Sequence, residues 1–586
     1  MQVYTPPTDE YRFLFRTFGY DRVHKLPGYG DYDAESVVAL LEQAGKFCKE
    51  RMLPLNPIGD REGLKFDGKT GAVELPEGFS SLYRDFCEGG YGALCQDVEY
   101  GGGGAPKMIA VPLNEMFCAT NKSFSMCMGL TNGLVEALEA HGSDEQKSEY
   151  LEKLISGEWT GTMCLTEPQA GTDLGLVRTT AVPEGDHYKL NGTKIWITFG
   201  EHNLADNIVH LVLARLPDAP EGIKGISVFI VPKKKADGSS NGVICAGLEH
   251  KMGIHASPTC VISFEDAEGY LVGQPHKGMR AMFTMMNAAR LFVGLEGVAL
   301  SEISYQTALE FAKDRRQSRS LIADKQDASA EADNILVHPD VRRMLLNVKA
   351  STQGMRALTV WIAALLDIEH KSEDEEERQA AQDLVALMTP IIKSFCTERG
   401  FANTSEAMQV LGGAGYTQDW SIEQYLRDMR IAMIYEGTNG IQALDLVGRK
   451  LPMDGGRLYR AWATHLGTFM AKNAENPVVA DLLPILKEQS ELLDGMTMGL
   501  AAKGFQDPEE AAAVASDYLR MFGHVAMAYV WAEVVVAAEA EGEAFLASKQ
   551  HLARYYYHRI LPEAASLAKI IESGKEHVMA VSDDEL

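Results

Sequence analysis

Tyr435-Glu436-Gly437-Thr438-Asn439-Gly440-Ile441-Gln442 separates two runs of helical periodicity and leaves one carboxylate at the junction. Gly437 lets the backbone approach a ligand closely, and Thr438 or Asn439 can cap the helix that follows, Ile441 to Lys450. A carboxylate held there is placed to remove a proton, or it is an ordinary capping acid, so the rest of the chain has to decide.

Upstream, Gln409-Val410-Leu411-Gly412-Gly413-Ala414-Gly415-Tyr416 reads as a helix end and a glycine turn, with Tyr425-Leu426-Arg427-Asp428 between it and Glu436. Helical periodicity fills Met279 to Arg315, Val341 to His370, Arg378 to Arg399 and Phe401 to Leu411, four amphipathic segments that predict a bundle. The acidic run Glu369 to Arg378 reads as a solvated loop between them. Further back the period shortens. Tyr188-Lys189-Leu190-Asn191-Gly192-Thr193-Lys194-Ile195-Trp196 alternates about an Asn-Gly pair, a hairpin signal, and strand-like runs follow at Ile208 to Ala214, Gly225 to Val231 and Thr259 to Phe264. Residues 35 to 160 are helical again, as in Ser36 to Arg51 and Ser143 to Ile155, around a loop at Gly101-Gly102-Gly103-Gly104. Leu451-Pro452-Met453-Asp454-Gly455-Gly456 marks a boundary before an alanine-rich helical stretch, 457 to 586, in which Glu510 to Tyr518 and Phe522 to Ala540 are amphipathic. The expected class is α+β, mainly α. Four domains are expected: N-terminal helical (1-160), middle β (161-277), a helical bundle carrying Glu436 (278-450), and an additional C-terminal helical domain (451-586).

A chain of 586 residues with a net charge of -27 and a pI near 5.0 is a poor partner for a polyanion, because nucleic-acid binding rests on Lys and Arg neutralising phosphates. Residues 451 to 586 alone carry 11 Lys and Arg against 20 Asp and Glu. The nine cysteines (48, 87, 95, 118, 127, 164, 245, 260 and 396) form no CxxC pair and have no His at metal spacing, so they read as buried thiols in a reducing compartment, and no metal is expected. The first residues, Met1-Gln2-Val3-Tyr4-Thr5-Pro6-Pro7, lack the basic and apolar parts of a signal peptide, which points to the cytoplasm. The most apolar run, Met521 to Ala538, contains His524 and Glu533 and reads as a buried helix without membrane insertion.

Two further stretches complete a pattern: Met163-Cys164-Leu165-Thr166-Glu167-Pro168-Gln169-Ala170-Gly171-Thr172-Asp173, and the strand Lys194-Ile195-Trp196-Ile197-Thr198. With the glycine turn and the Glu436 segment, in this order and spacing, they resemble the acyl-CoA dehydrogenase family from about residue 40 to residue 450. The resemblance implies FAD as cofactor and an acyl-CoA thioester as substrate. Glu436 is then the base, since the weakly acidic α-proton of a thioester needs a positioned acceptor. The resemblance also places Met163, Leu165, Thr166 and Gly171 along the flavin, with Trp196 and Thr198 at its ring. Arg315 falls to the FAD pyrophosphate of a neighbouring subunit, and Gln409, Gly412 and Gly413 to the adenosine half. Thr438 and Asn439 are also assigned to the cofactor, and Thr172, Asn287, Arg290 and Gly437 to the substrate. Three departures stand out: Asn287 replaces the usual Asp of Asp-x-x-Arg, no aromatic-Gly follows Arg315, and an insertion between Leu321 and Val337 precedes His338-Pro339.

The N-terminal Tyr11-Arg12-Phe13-Leu14-Phe15-Arg16, the motif Gly200 to Leu211 and the long C-terminal extension resemble a long subfamily acting on 3-(methylthio)propanoyl-CoA, oxidised to 3-(methylthio)acryloyl-CoA in dimethylsulfoniopropionate breakdown. A general fatty acyl-CoA dehydrogenase or an acyl-CoA oxidase is the alternative, and a nucleic-acid-binding flavoprotein a more distant one. A homodimer or dimer of dimers and an electron-transferring flavoprotein as electron acceptor are what the family implies.

Overall fold

A computed structural model describes residues 2–586, without the side chains of Asn287 and Ala288. The chain forms two compact units, one from Gln43–Ala105 and Met116–Phe292, the other from Met1–Glu42, Pro106–Glu115 and Val293–Leu586. The elements that matter for the site are, in chain order, α1 (Thr8–Thr17), α2 (Ala34–Phe47), α3 (Phe79–Glu88), α4 (Lys107–His141), α5 (Asp144–Ser156), β1 (Trp159–Cys164), β2 (Thr180–Glu184), β3 (His187–Thr198), β4 (Asn207–Arg215), β5 (Ile226–Pro232), β6 (Val243–Leu248) and β7 (Thr259–Leu271). There follow α6 (Gly278–Asp314), α7 (Pro339–Lys371), α8 (Glu375–Leu411), α9 (Ile422–Arg430), α10 (Asn439–Asp445), α11 (Arg457–Lys472), α12 (Leu483–Gln506), α13 (Ala515–Ala538), α14 (Glu543–Tyr555) and α15 (Glu563–Glu572).

The first unit is built on a sheet that closes on itself. β4 lies parallel to β1 and antiparallel to β5, β5 meets β7, β7 meets β3, β3 meets β2, and β2 returns to β4 where Thr180 faces Arg215. β6 pairs with β7 outside this ring. Val209, Leu211 and Leu213 of β4 join Leu134, Leu138, Leu151 and Leu154 of α4 and α5 in one core, whereas Val212 and Ala214 join Phe229, Ile262 and Phe264 in another. Both faces of β4 are covered, so from Ile208 to Ala214 its sequence is apolar on both faces except at the buried His210, and does not alternate. The hairpin expected at Asn191-Gly192 is absent: β3 continues through these residues, and the turn lies earlier, at Gly185 with φ 67°. A register slip between Leu190 and Gly192 makes the pair a bulge instead. A Cβ on Gly192 would stand 2.4 Å from Thr179 Oγ1, which accounts for the glycine without a turn.

In the second unit α8 is one unbroken helix, so the expected interruption after Arg399 does not occur. Gly400 serves contact instead: a Cβ there would lie 2.5 Å from Gly297 Cα, so α8 crosses α6 backbone against backbone. The acidic loop is shorter than expected, residues 372–374, with Asp374 capping α8 through the N–H groups of Glu376 and Glu377. The C-terminal extension shares its core with the bundle. Gly523 of α13 packs on Phe395 of α8, Gly354 of α7 packs on Trp531 of α13, and Trp361, Trp462 and Tyr529 meet edge to face or tilted. α1 docks on the extension through the Glu10–Lys549 pair at 2.5 Å and the Phe13–Phe545 ring contact. Beneath it the buried Arg356 guanidinium meets Glu115 and Glu302, each at 2.6 Å, and Tyr11 donates to Glu115. α6 and α13 are long and apolar enough to cross a membrane by length and composition, yet their most apolar stretches are 69% and 83% buried in the protein. The nine cysteines are thiols outside any disulfide; Cys87 and Cys95 are half-buried, which corrects the expectation of uniform burial.

Candidate active site

The Glu436 segment is a strained turn. Glu436 has φ 58° and Gly437 φ 85°, so two successive residues occupy the left-handed region. For the glycine this is free, but for the glutamate it costs about 1–2 kcal/mol, and such strain persists only where the surroundings enforce it. They do so from three sides. Tyr435 Oη donates to Glu296 on α6. Lys393 on α8, fully buried, donates to Gly437 O at 2.8 Å and to Asn439 Oδ1 at 2.9 Å. Gln442 Nε2 reaches Glu436 O at 3.3 Å, and Thr438 Oγ1 caps α10 by accepting from Ile441 N.

Thr438, not Asn439, is therefore the cap. The Asn439 side chain turns inward, donating to Thr397 Oγ1 at 3.1 Å and Ser394 O at 3.3 Å, and only its backbone is left for a ligand. Gln409 stands in the last turn of α8, and Gly412 (φ 58°) and Gly413 follow with open space where a Cβ would be, so a ligand can come close to the main chain there. Lys393 and Gln409 are sixteen residues apart on one helix, about 24 Å of axis. The helix thus carries two separate parts of the site. Of the arginines after α6, Arg316 and Arg319 are committed to the inserted loop, through Asp327 at 2.9 Å and Ala330 O at 2.6 Å, while Arg315 is exposed.

In the other unit, the register of β3 against β7 slips between Lys194 and Ile197, and Trp196 takes φ 60°. The bulge turns its indole out of the sheet, 60% exposed, a position in which an apolar ring is otherwise costly. Thr198 and Thr166 are half-buried beside it, and Ile195 N donates to Thr166 O at 2.9 Å, so the loop Met163 to Gly171 is stitched to the strand carrying the indole. Met163 is half-buried, Leu165 buried, and Gly171 and Thr172 exposed. A flat exposed ring flanked by two hydroxyls suits a flavin, whose ring is apolar on its faces and polar at its edge.

Sequence reading missed what holds this platform. Lys194 and Glu167, both buried, form an ion pair at 2.8 Å. Lys194 also donates to Leu165 O, and Glu167 accepts from Thr179 Oγ1, Thr179 N and Arg178 N. Burial alone would raise the Glu167 carboxyl, but the Lys194 ammonium and these donors outweigh it and hold the group at about 2. Glu201 is likewise paired, with Lys233 at 2.5 Å. Its neighbour His202 accepts from Leu204 N at Nδ1 and so presents Nε2–H to Thr160 Oγ1 at 2.8 Å, while its ring packs edge-on against Phe199 (φ 51°). His210 meets Thr162 at 2.7 Å. The motif from Gly200 to Leu211 is thus a buried polar scaffold behind the end of β3. Arg290 is buried on α6 in this unit, and the side chain of Asn287, one helical turn earlier, lies outside the described residues.

Four family models match in succession: acyl-CoA dehydrogenase N-terminal domain over 35–158, middle domain over 162–267, C-terminal domain over 276–451, and acetyl-CoA dehydrogenase C-terminal like over 462–582. The 3-methylmercaptopropionyl-CoA dehydrogenase of Ruegeria pomeroyi is 43% identical, covering 94% of this chain and 95% of its own. The broad-specificity linear acyl-CoA dehydrogenase FadE5 of Mycobacterium tuberculosis is 31% identical, covering 97% of each. Among solved structures, an acyl-CoA dehydrogenase complexed with FAD from Bacillus anthracis matches with a TM-score of 0.70 and 22% identity, over 96% of this chain and 91% of that one, which is a likeness of fold. Likeness of this extent, carried from the N-terminal helices through the extension, shows that the chain belongs to the acyl-CoA dehydrogenase family and is an FAD-dependent oxidoreductase acting on acyl-CoA thioesters.

Proposed function

We propose that Glu436 removes the α-proton of the bound thioester as the β-hydrogen leaves as hydride, giving the 2,3-enoyl product. The observation that carries this is the left-handed Glu436-Gly437 turn, which fixes a carboxylate by main-chain geometry against its own conformational preference. The ion pairs of Glu167 and Glu201 support the choice of Glu436 over either. FAD supplies the hydride acceptor when bound. Around it, Trp196 offers the ring a flat face, Thr166 and Thr198 offer hydroxyls to its edge, and Met163, Leu165 and Gly171 line it. Arg315 neutralises pyrophosphate charge, Gln409, Gly412 and Gly413 cover the adenosine half, and Thr438 and Asn439 contribute main chain. Thr172, Asn287, Arg290 and Gly437 hold the substrate. Residues 1-160, 161-277, 278-450 and 451-586 act as the functional subdivisions, in a cytoplasmic homodimer or dimer of dimers that passes electrons to an electron-transferring flavoprotein.

The substrate we assign is 3-(methylthio)propanoyl-CoA, supported by the 43% identity to the Ruegeria pomeroyi enzyme named for that thioester. Anaerobic bleaching of the flavin by a panel of thioesters tests both readings. kcat/KM should peak for the methylthio compound and for butanoyl to hexanoyl chains and fall for palmitoyl-CoA, because overpacking a closed pocket costs about 1–3 kcal/mol. A steady rise to palmitoyl-CoA leaves a general fatty acyl-CoA dehydrogenase. In the same assay Glu436→Gln should keep FAD and lose at least about 10² in rate, the usual worth of a general base; near-normal bleaching would move the base elsewhere.

A further inference from the structure

Lys393 is a lysine with no place in the chemistry so far, wholly buried in an apolar stretch of α8 (Thr389-Pro390-Ile391-Ile392-Lys393-Ser394-Phe395). Among the described residues few cations are so enclosed, and this one is aimed at a carbonyl one residue from the base. We propose that Lys393 is a positioning residue for Glu436: by holding Gly437 O and Asn439 Oδ1 together, it locks the left-handed turn that points the carboxylate. This rests on the reading of Glu436 as the base.

The geometry gives the lock two arms. The ammonium bridges the residue after Glu436 and the first residue of α10, so the turn and the helix move as one piece. Asn439 is in turn held by Ser394, the next residue of α8, and by Thr397, one turn further along, so every group that grips the turn and the start of α10 from this side stands on one rigid helix. Charge-assisted hydrogen bonds are the stronger kind, and inside a dry core no water can replace one that is lost. The network continues outward into the C-terminal extension. Glu398, four residues after Ser394, approaches Asn439 Nδ2 at 3.4 Å and receives Arg520 Nε of α13 at 3.2 Å. Arg520 thereby braces, from the extension, the helix that holds the turn. A carboxylate freed from this lock keeps its chemistry and loses its aim.

The test is Lys393→Met in the full-length FAD-loaded enzyme, read by solvent-deuterium exchange at the α-carbon of butanoyl-CoA alongside flavin content and thioester binding. A displacement of about 1 Å costs about 10² in rate, so exchange and kcat should fall by about 10- to 100-fold with the thioester Kd within about 3-fold of wild type. Arg520→Gln, a change at the half-buried outer end, should lower exchange less, with KM unmoved; it and Asn439→Ala, which removes one of the two acceptors, carry the test if Lys393→Met does not fold. Wild-type exchange rates in the folded variants overturn the proposal. Glu436→Gln measured in parallel separates the two readings: if it still exchanges, the base is misassigned, whereas if it is inert and Lys393→Met exchanges normally, only the role of Lys393 falls.

Discussion

Lys194 shows how much of the candidate site lies behind the residues proposed to touch ligands. Its ammonium joins Glu167 of the loop to Leu165 O of the same loop, two residues before the exposed Trp196. Removing one member of a buried ion pair leaves the other charge uncompensated, typically at about 3–5 kcal/mol. Lys194→Met should therefore purify with much less FAD than wild type, measured as flavin absorbance per chain, and titration with added FAD should recover part of it. Full occupancy in this variant would mean that the loop holds its shape without the pair. Glu436 and Trp196 are legible in the sequence because each sits in a motif whose residue types have a chemical reason. Lys194 and Lys393 are not, since a lysine between apolar residues reads as one that snorkels to the surface. Their burial follows from tertiary packing, which no local pattern contains.

At the scale of elements, glycine is where the reading and the fold part company. Gly400 and the Asn191-Gly192 pair look like punctuation, yet the first lies inside α8 against Gly297 and the second inside β3 against Thr179. In both, what matters is the missing Cβ and not a bend. Gly400→Ala should therefore destabilise by about 1–3 kcal/mol, the range for overpacking, despite the better helix propensity of alanine. Gly467 in α11 has nothing within 4 Å of its Cβ position. Gly467→Ala should stabilise by up to about 1 kcal/mol. Denaturant midpoints for the two variants should move in opposite directions; parallel shifts would refute the close α6–α8 crossing. Where burial is one-sided or complete, periodicity suffices, as with β4, β5 and the span of α7. The closure of the sheet into a ring is beyond periodicity, because pairing partners such as β2 and β4 are set by contacts between distant residues.

Over the whole molecule, both units bury neutral histidine. Burial pushes His202 and His210 down to about 3 in one unit, and His465 and His524 down to about 4 in the other. A histidine whose folded value is depressed contributes stability that is present above its unfolded value, about 6.5, and is lost as pH falls towards the folded value. Each such group takes up one proton on unfolding, which lowers stability by about 1.4 kcal/mol per pH unit. Asp367 acts in the opposite sense. Burial raises its carboxyl to about 6 even as it caps α4 through the N–H groups of Lys107 and Met108 and accepts from Tyr29 Oη, so its protonation favours the folded state between about 6 and its unfolded value near 4. Burial also lowers His141 and raises Glu369 and Glu533, so five histidines against three carboxyls leave a net uptake, and Glu167 and Glu563, both held at about 2, add to it below about pH 4.5. The melting temperature should therefore be nearly flat from pH 8 to about 6.5 and then fall ever more steeply in acid. Replacing His465, which donates to or accepts from Tyr529 Oη at 2.7 Å, by Gln should keep a polar partner in place while removing one titrating group. That variant should lose stability less steeply below pH 6 by about one proton's worth of slope, about 1.4 kcal/mol per pH unit. An unchanged acid slope in His465→Gln, or a melting temperature that rises between pH 6.5 and 5, would show that these imidazoles are already protonated in the folded protein.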